Sequence, residues 1–306
     1  MQFYKYIDPF NVKFPKEADT LDKAVEFIES TLGKIQQKTD IRYGHLNVAM
    51  DLLLQWSWIH DSRPFFRIWP GFLEAVRTLK IDDIKLSDIE IRFPNDIQSI
   101  CLEMPVETVV IEDGFLTTIM IGKISHSRIR GTQDNPIYYI LLNGVNKEKK
   151  LFMGRFYFSF KDANKTVGEY LNGLPCDRTV LSIAILVGLI SNTESDTPLI
   201  EPVVIRALQE KWEKTQDTTL IEKSKRRGVF GWDIGKNLPD ANQIEQMRKE
   251  ALNSGLRCPH WRNAHFSRRV VGKREDGNKE WRFVAGSFIN KDKMLDVPHG
   301  YYTRQE

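Results

Sequence analysis

A change of hydrophobic period near Ile81 constrains this 306-residue chain more than any other feature. Upstream, residues 20–37 place Leu21, Ala24, Val25, Ile28, Leu32 and Ile35 at helical spacing, with Thr20 positioned as an N-cap. A second helix is expected from Tyr43 to Trp56, and a short third from Gly71 to Leu79, after the aromatic-dense stretch ending at Pro70. Downstream, Phe156, Phe158 and Phe160 alternate at period two. The segments "IEIRF", "ETVVIEDGFLTTIMIGKI" and "IYYILLN" are rich in β-branched and aromatic residues, with Asp113-Gly114 as a hairpin turn and Asn143-Gly144 with "NKEKK" as a separator. A chain carrying both periods is predicted to be α+β: a helical N-terminal part, a central antiparallel sheet with helices, and a small basic α+β C-terminal domain.

Punctuation sets the expected boundaries at 1–80, 81–214 and 228–306. Helices are expected over "KTVGEYLNG", over Asp177–Asn192 and over 201–214. The polar, turn-poor stretch 215–227 reads as a linker or mobile arm. "GVFGWDIG" is a strand or tight loop, "ANQIEQMRKEALNSG" a helix ending at Gly255, and Asp276-Gly277-Asn278 the turn of a hairpin between "SRRVVGKR" and "EWRFVAGSFI".

Charge divides the chain more sharply than its formal +3 suggests. From Ile221 to Glu306 there are 18 Lys/Arg against 11 Asp/Glu, which leaves residues 1–220 mildly acidic. A basic tail on an acidic body points to an anionic partner for the tail. Three widely spaced cysteines, Cys101, Cys176 and Cys258, suit a reducing compartment better than a disulfide framework. "MQFYKYIDPF" lacks the form of a signal peptide, and the longest apolar run, Val180–Ile190, is too short to span a bilayer. These features lead to the expectation of a cytoplasmic protein with no membrane partner.

The chemistry concentrates in "CPHWRNAHFSRRVVGKREDGNKEWRFVAG", from Cys258 to Gly286. Four readings compete there. Zinc would draw on Cys258, His260, His265 and the more distant His299, but the spacing Cys-x-His-x4-His offers no CxxC arm, and no metal site is assigned. Cys258 as a nucleophile lacks an oriented base that sequence alone can identify. Metal-free RNA cleavage would use His260 and His265 as acid and base with Arg262 stabilising the phosphorane. Non-catalytic binding would use Arg257, Arg262, Arg268, Arg269, Lys273, Arg274, Lys279 and Arg282 on phosphates, with Trp261, Phe266 and Trp281 stacking on bases. At least one of Trp281 and Phe283 belongs to a core, because they share a strand face.

"PHWRNAHF" followed by a basic hairpin and "WRFVAGSFIN" resembles the C-terminal motif of the type V-A anti-CRISPR inhibitor A2-like family of phage and mobile-element proteins. Pro259, His260, Arg262, His265, Phe266, Gly272 and Asn290 occupy the matching positions. "VFGWDIG" resembles the element preceding the family's helix, and "IRFPNDIQSICLEM" more faintly resembles one of its strands. Asn263, Ala264 and Ser267 stand where the family has Arg, Gly and a third His. The loss of that histidine favours gripping RNA over cutting it. The resemblance implies a protein that recognises the nascent peptide of a CRISPR effector nuclease and promotes loss of its mRNA. The body would hold the peptide, and the C-terminal domain would face RNA or the ribosome through His260, Arg262, His265, Arg268 and Arg269. A toxin-like ribonuclease and a non-catalytic nucleic-acid-binding accessory protein are the alternatives. No cofactor is implied, and the oligomeric state stays open.

Overall fold

In the computed structural model, the described residues are 13–38, 45–78, 81–85, 98–111, 114–124, 137–146, 148, 150–159, 165–172, 194–195, 199–253, 260–262, 265–270, 279–284 and 287–289. In chain order the elements are α1 (Leu21–Lys38), α2 (His45–His60), β1 (Phe65–Ile68), α3 (Pro70–Thr78), β2 (Ser99–Glu103), β3 (Val110–Ile111), β4 (Gly114–Ile124), β5 (Ile137–Asn146) and β6 (Leu151–Ser159). They continue with α4 (Val167–Asn172), β7 (Glu194–Ser195), β8 (Ile200–Pro202), α5 (Arg206–Thr215), α6 (Thr219–Arg226), β9 (Gly231–Ile234), α7 (Ala241–Asn253), β10 (His260–Arg262), β11 (His265–Val270), β12 (Lys279–Val284) and β13 (Ser287–Ile289). The fold is α+β. It divides into two compact units, one of Met1–Arg67, Phe93–Lys161 and Pro202–Trp232, the other of Ile68–Arg92, Asp162–Glu201 and Asp233–Glu306. Each is assembled from three separate segments, which differs from the contiguous regions that the sequence suggests.

The main sheet has the order β6-β5-β4-β2-β1-β9-β8, with β3 folded back on β4. Strands β2, β4, β5 and β6 are antiparallel, whereas β1 joins β2 in parallel. Ile119, Met120 and Ile121 on β4 are all buried, as are Tyr138 through Leu142 on β5. Such strands are buried on both faces and read as continuous apolar runs. Helix α2 packs on β2, β4 and β5. It buries Met50, Leu52, Leu53, Leu54 and Trp56, together with Asp51 and Gln55. A helix buried nearly all round occupies a core, and this one continues through "WSWIH" to His60, past its expected end. Helix α1 lays Ala24, Val25 and Ile28 into the same core, and the Lys23 amide reaches the Thr20 hydroxyl at 3.5 Å.

Two expectations are corrected in this unit. Asn143-Gly144 is not a turn: β5 runs through it, and Gly144 pairs with Leu116 on one side and Phe152 on the other. The buried Asn143 side chain donates from Nδ2 to Thr118 Oγ1 at 3.1 Å, and the Asn143 main-chain carbonyl accepts the Thr117 hydroxyl at 2.9 Å. The turn lies at Asn146–Lys150, closed by paired hydrogen bonds between those two residues. The stretch 215–227 is not a linker: it contains α6 and buries Leu220 and Ser224, one turn apart. The Ser224 hydroxyl accepts the Ile205 amide at 3.1 Å and donates to the Leu220 carbonyl at 2.9 Å. Gly228, at φ +81°, ends the helix, with Val229 N–H bonding to Ser224 O and Gly228 N–H to Lys225 O. Two buried positions and one glycine are enough to order a segment that composition alone marks as loose. The helix expected at 201–214 begins only at Arg206, because β8 takes Ile200–Pro202.

In the second unit, α3 buries Phe72, Leu73 and Val76. Gly71 admits no side chain, because a Cβ there would collide with the backbone of Leu238. Reciprocal capping boxes start α4 (Thr166 with Glu169) and α7 (Asp240 with Gln243). The expected basic hairpin is present: β11 pairs antiparallel with β12, and β12 pairs parallel with β7. The apolar run Val180–Ile190 and the turn Asp276–Asn278 lie outside the described residues. Among the described residues no helix is long and apolar enough to cross a membrane.

Candidate functional site

The motif residues fall on two short ladders. β10 pairs antiparallel with β13, with His260 opposite Ile289, Trp261 opposite Phe288 and Arg262 opposite Ser287. His260 and Arg262 therefore hold alternate positions of one strand, with Trp261 at the position of opposite parity. β11 begins two residues past β10, at His265, which stands opposite Val284. Along β11–β12 the register sets Phe266 against Phe283, Ser267 against Arg282, Arg268 against Trp281 and Arg269 against Glu280. The backbone thus places Arg262 on the β10–β13 ladder and His265, Arg268, Arg269 and Arg282 on the β11–β12 ladder. His265 is half-buried. The side chains of His260, Trp261, Arg262, Phe266, Arg268, Arg269 and Arg282 lie outside the described residues, as do Arg257, Cys258, Lys273, Arg274 and His299 altogether. Among the described residues no His/Cys/Asp/Glu cluster is arranged to hold a metal ion.

Two further constellations lie in the sheet unit, and the sequence reading missed both. The first is a cavity of about 290 Å³ lined by Leu21, Leu53, Leu54, Trp56, Gly122 and, at its polar side, Ser57, His60, Asp61, Gln98 and Lys123. A Cβ at position 122 would meet Leu54 Cδ1, so a side chain there would require Leu54 to shift. Trp56 is fixed by a 2.7 Å hydrogen bond from its indole nitrogen to Ala18 O, and the His60 ring stacks on it at 5.1 Å. Asp61 Oδ2 accepts the Gln98 amide at 2.7 Å, tying the end of α2 to the start of β2. The next two residues, Ser62 and Arg63, both adopt positive φ (69° and 55°) without being glycine, a conformation that costs of order 1 kcal/mol or more each. The cavity thus has an apolar floor and a rim bearing both signs of charge, suited to a small apolar group with a polar head.

The second is a buried charged network. Asp51 is fully buried on α2, and its Oδ1 accepts the Tyr139 hydroxyl at 2.6 Å. Arg155 on β6 donates to Oδ2 from Nε at 2.8 Å and from its terminal nitrogen at 2.7 Å. Burial pushes the Asp51 carboxyl up, and the hydrogen bonds from Arg155 and Tyr139 oppose it without cancelling it. Burial pulls Arg155 down, but its bond and charge contact with Asp51 more than compensate and hold it above its usual range. Burial, then the Asp51 charge and hydrogen bond, hold the Tyr139 phenol protonated. Asp51 and Tyr139 are buried and Arg155 is partly exposed, and the network fixes α2 against β5 and β6. A sequence signal did exist, because Asp51 and Gln55 are polar residues one turn apart inside an otherwise apolar helix.

No family model matches the chain, and no curated protein matches it. Among solved structures it is similar to the crystal structure of AcrVA2, at 14% identity, covering 88% of this chain and 86% of that one, with a TM-score of 0.43. At that distance the likeness transfers no function.

Proposed function

We propose that this is an anti-CRISPR-like protein that recognises a nascent peptide of a CRISPR effector nuclease and promotes loss of its mRNA. In this reading the C-terminal ladders contact RNA or the ribosome, and the sheet-bearing unit holds the peptide. One observation supports the reading: the sequence motif Pro259-His260-x-Arg262-x-x-His265-Phe266, with its basic hairpin, places His260 and Arg262 on β10 and His265 on β11, two strands that follow one another in the chain. The cross-strand pairs of Arg268 with Trp281 and Ser267 with Arg282 add cationic and aromatic groups, the chemistry used to hold a nucleic-acid strand.

The test is the effector's mRNA level in cells with and without the protein. Loss of message is expected with wild type and not with an R262Q/R268Q/R269Q variant. Loss that persists after the effector's first codons are recoded to a different peptide defeats nascent-peptide recognition. Purified protein incubated with labelled RNA in chelator addresses catalysis. Cleavage abolished by H260A plus H265A would replace gripping with a ribonuclease mechanism.

A further inference from the structure

The segment that looked like a linker carries a charge pattern that the proposed function does not use. Around α6 the sequence reads "EKSKRRG", with Lys223, Lys225, Arg226 and Arg227 in five positions. The inner face of α6 is taken up by Leu220 and Ser224. Lys225, half-buried, is held with its ammonium 4.2 Å from the Phe230 ring centroid. The other three, Lys223, Arg226 and Arg227, are exposed and stand at i, i+3 and i+4, so they form one stripe on the solvent side. None has an ion-pair partner within 4 Å among the described residues. Acids close by in the sequence are Glu222, on the same helix, and Asp217. The latter feels the charges of Lys211 and Lys223 but spends its carboxylate on Thr219, accepting its amide at 2.9 Å.

Helix stability alone does not account for the stripe. Cations in a last turn gain from the helix dipole, but like charges at i and i+4 repel by a similar amount, and the Gly228 cap already satisfies the Ser224 and Lys225 carbonyls. A membrane surface is a poor fit, because the exposed residues beside the stripe, Thr219, Glu222 and Gly228, are not apolar, and Ile221 and Val229 are half-buried. Three exposed cations within one helical turn suit successive phosphates of one strand, with each contact releasing counterions.

We infer that the solvent stripe Lys223–Arg226–Arg227 is a binding site for a nucleic-acid phosphate backbone. The site belongs to the sheet-bearing unit and is independent of the C-terminal motif.

The experiment measures binding of the full chain to a labelled single-stranded RNA of about 20 nucleotides, its DNA equivalent and the duplex, as a function of salt. K223Q/R226Q/R227Q should lower the slope of log Kd against log salt by about 2, at about 0.7 per lost contact, and weaken binding at least about 10-fold in 0.1 M salt. R226K/R227K, which keeps the charge, should bind within about twofold of wild type. Unchanged thermal unfolding of all variants establishes that the fold is intact. Equal binding of RNA and DNA identifies the backbone as the ligand, and preference for RNA narrows it to RNA. The inference is overturned if wild type binds none of the three, if the glutamine variant leaves the slope unchanged, or if polyglutamate or phosphatidylserine vesicles bind as tightly. R262Q/R268Q/R269Q separates the two sites. Binding lost only there refutes the α6 site and leaves the proposed C-terminal contact standing, and binding lost only in the α6 variant does the reverse.

Discussion

Replacing Tyr139 by Phe isolates the energetics of the buried network, because it removes one oxygen and leaves the ring in place. That oxygen donates to Asp51 at 2.6 Å inside a region where both residues are fully or almost fully buried. Hydrogen bonds to a charged group contribute about 1.5–3 kcal/mol and those between neutral groups about 1 kcal/mol. The cost therefore depends on the charge of Asp51, and hence on pH. Burial raises the folded carboxyl of Asp51 above its usual range. Its contribution to stability is complete below the unfolded value and is lost as pH rises through the folded one. The Tyr139 bond restrains that rise, so Y139F pushes the folded value higher and more stability is lost on the alkaline side. The expected penalty is about 1 kcal/mol near pH 4 and about 2–3 kcal/mol near pH 7.5. Urea unfolding of both proteins at the two pH values, with m unchanged between them, measures it. A penalty that does not grow with pH would refute the assignment of an ionised Asp51 at neutral pH, and one below about 0.5 kcal/mol would refute the hydrogen bond itself.

Three further outcomes are expected. S224A strands the Ile205 amide and loses the α5–α6 contact, so it should cost about 1–3 kcal/mol by urea unfolding and raise amide exchange across 205–228. G228A meets no atom within 4 Å but must hold φ near +81°, so it should cost about 1 kcal/mol from backbone strain alone. Cys101 is buried, and burial followed by the Glu103 charge holds its thiol well above the usual range. With Cys176 and Cys258 replaced by Ser, it should react with a maleimide only after denaturant is added.

What the sequence revealed followed from periodicity, and what it hid followed from single residues. α1, β4, β6, the β11–β12 hairpin and α+β class were legible because each repeats its signal over many positions. The end of α2, the continuation of β5 through Asn143-Gly144 and the order of 219–226 were not. In each, a strong local preference was overridden by one or two buried contacts: Trp56 and its neighbours, the Asn143–Thr118 bond, and Leu220 with Ser224. The same limit applies to function. The C-terminal motif was visible because its residues are contiguous, whereas the cavity joins Asp61 to Gln98 and Gly122, and the network joins Asp51 to Tyr139 and Arg155. These partners are brought together by the packing of α2 on the sheet and by the strand register, which pairs Ser99 with Gly122 and Leu141 with Arg155. The stripe on α6 is the instructive intermediate case. Its cations are contiguous and were visible in the sequence, yet they acquired meaning only once Leu220 and Ser224 were seen to turn one face of the helix inward and leave Lys223, Arg226 and Arg227 together on the other.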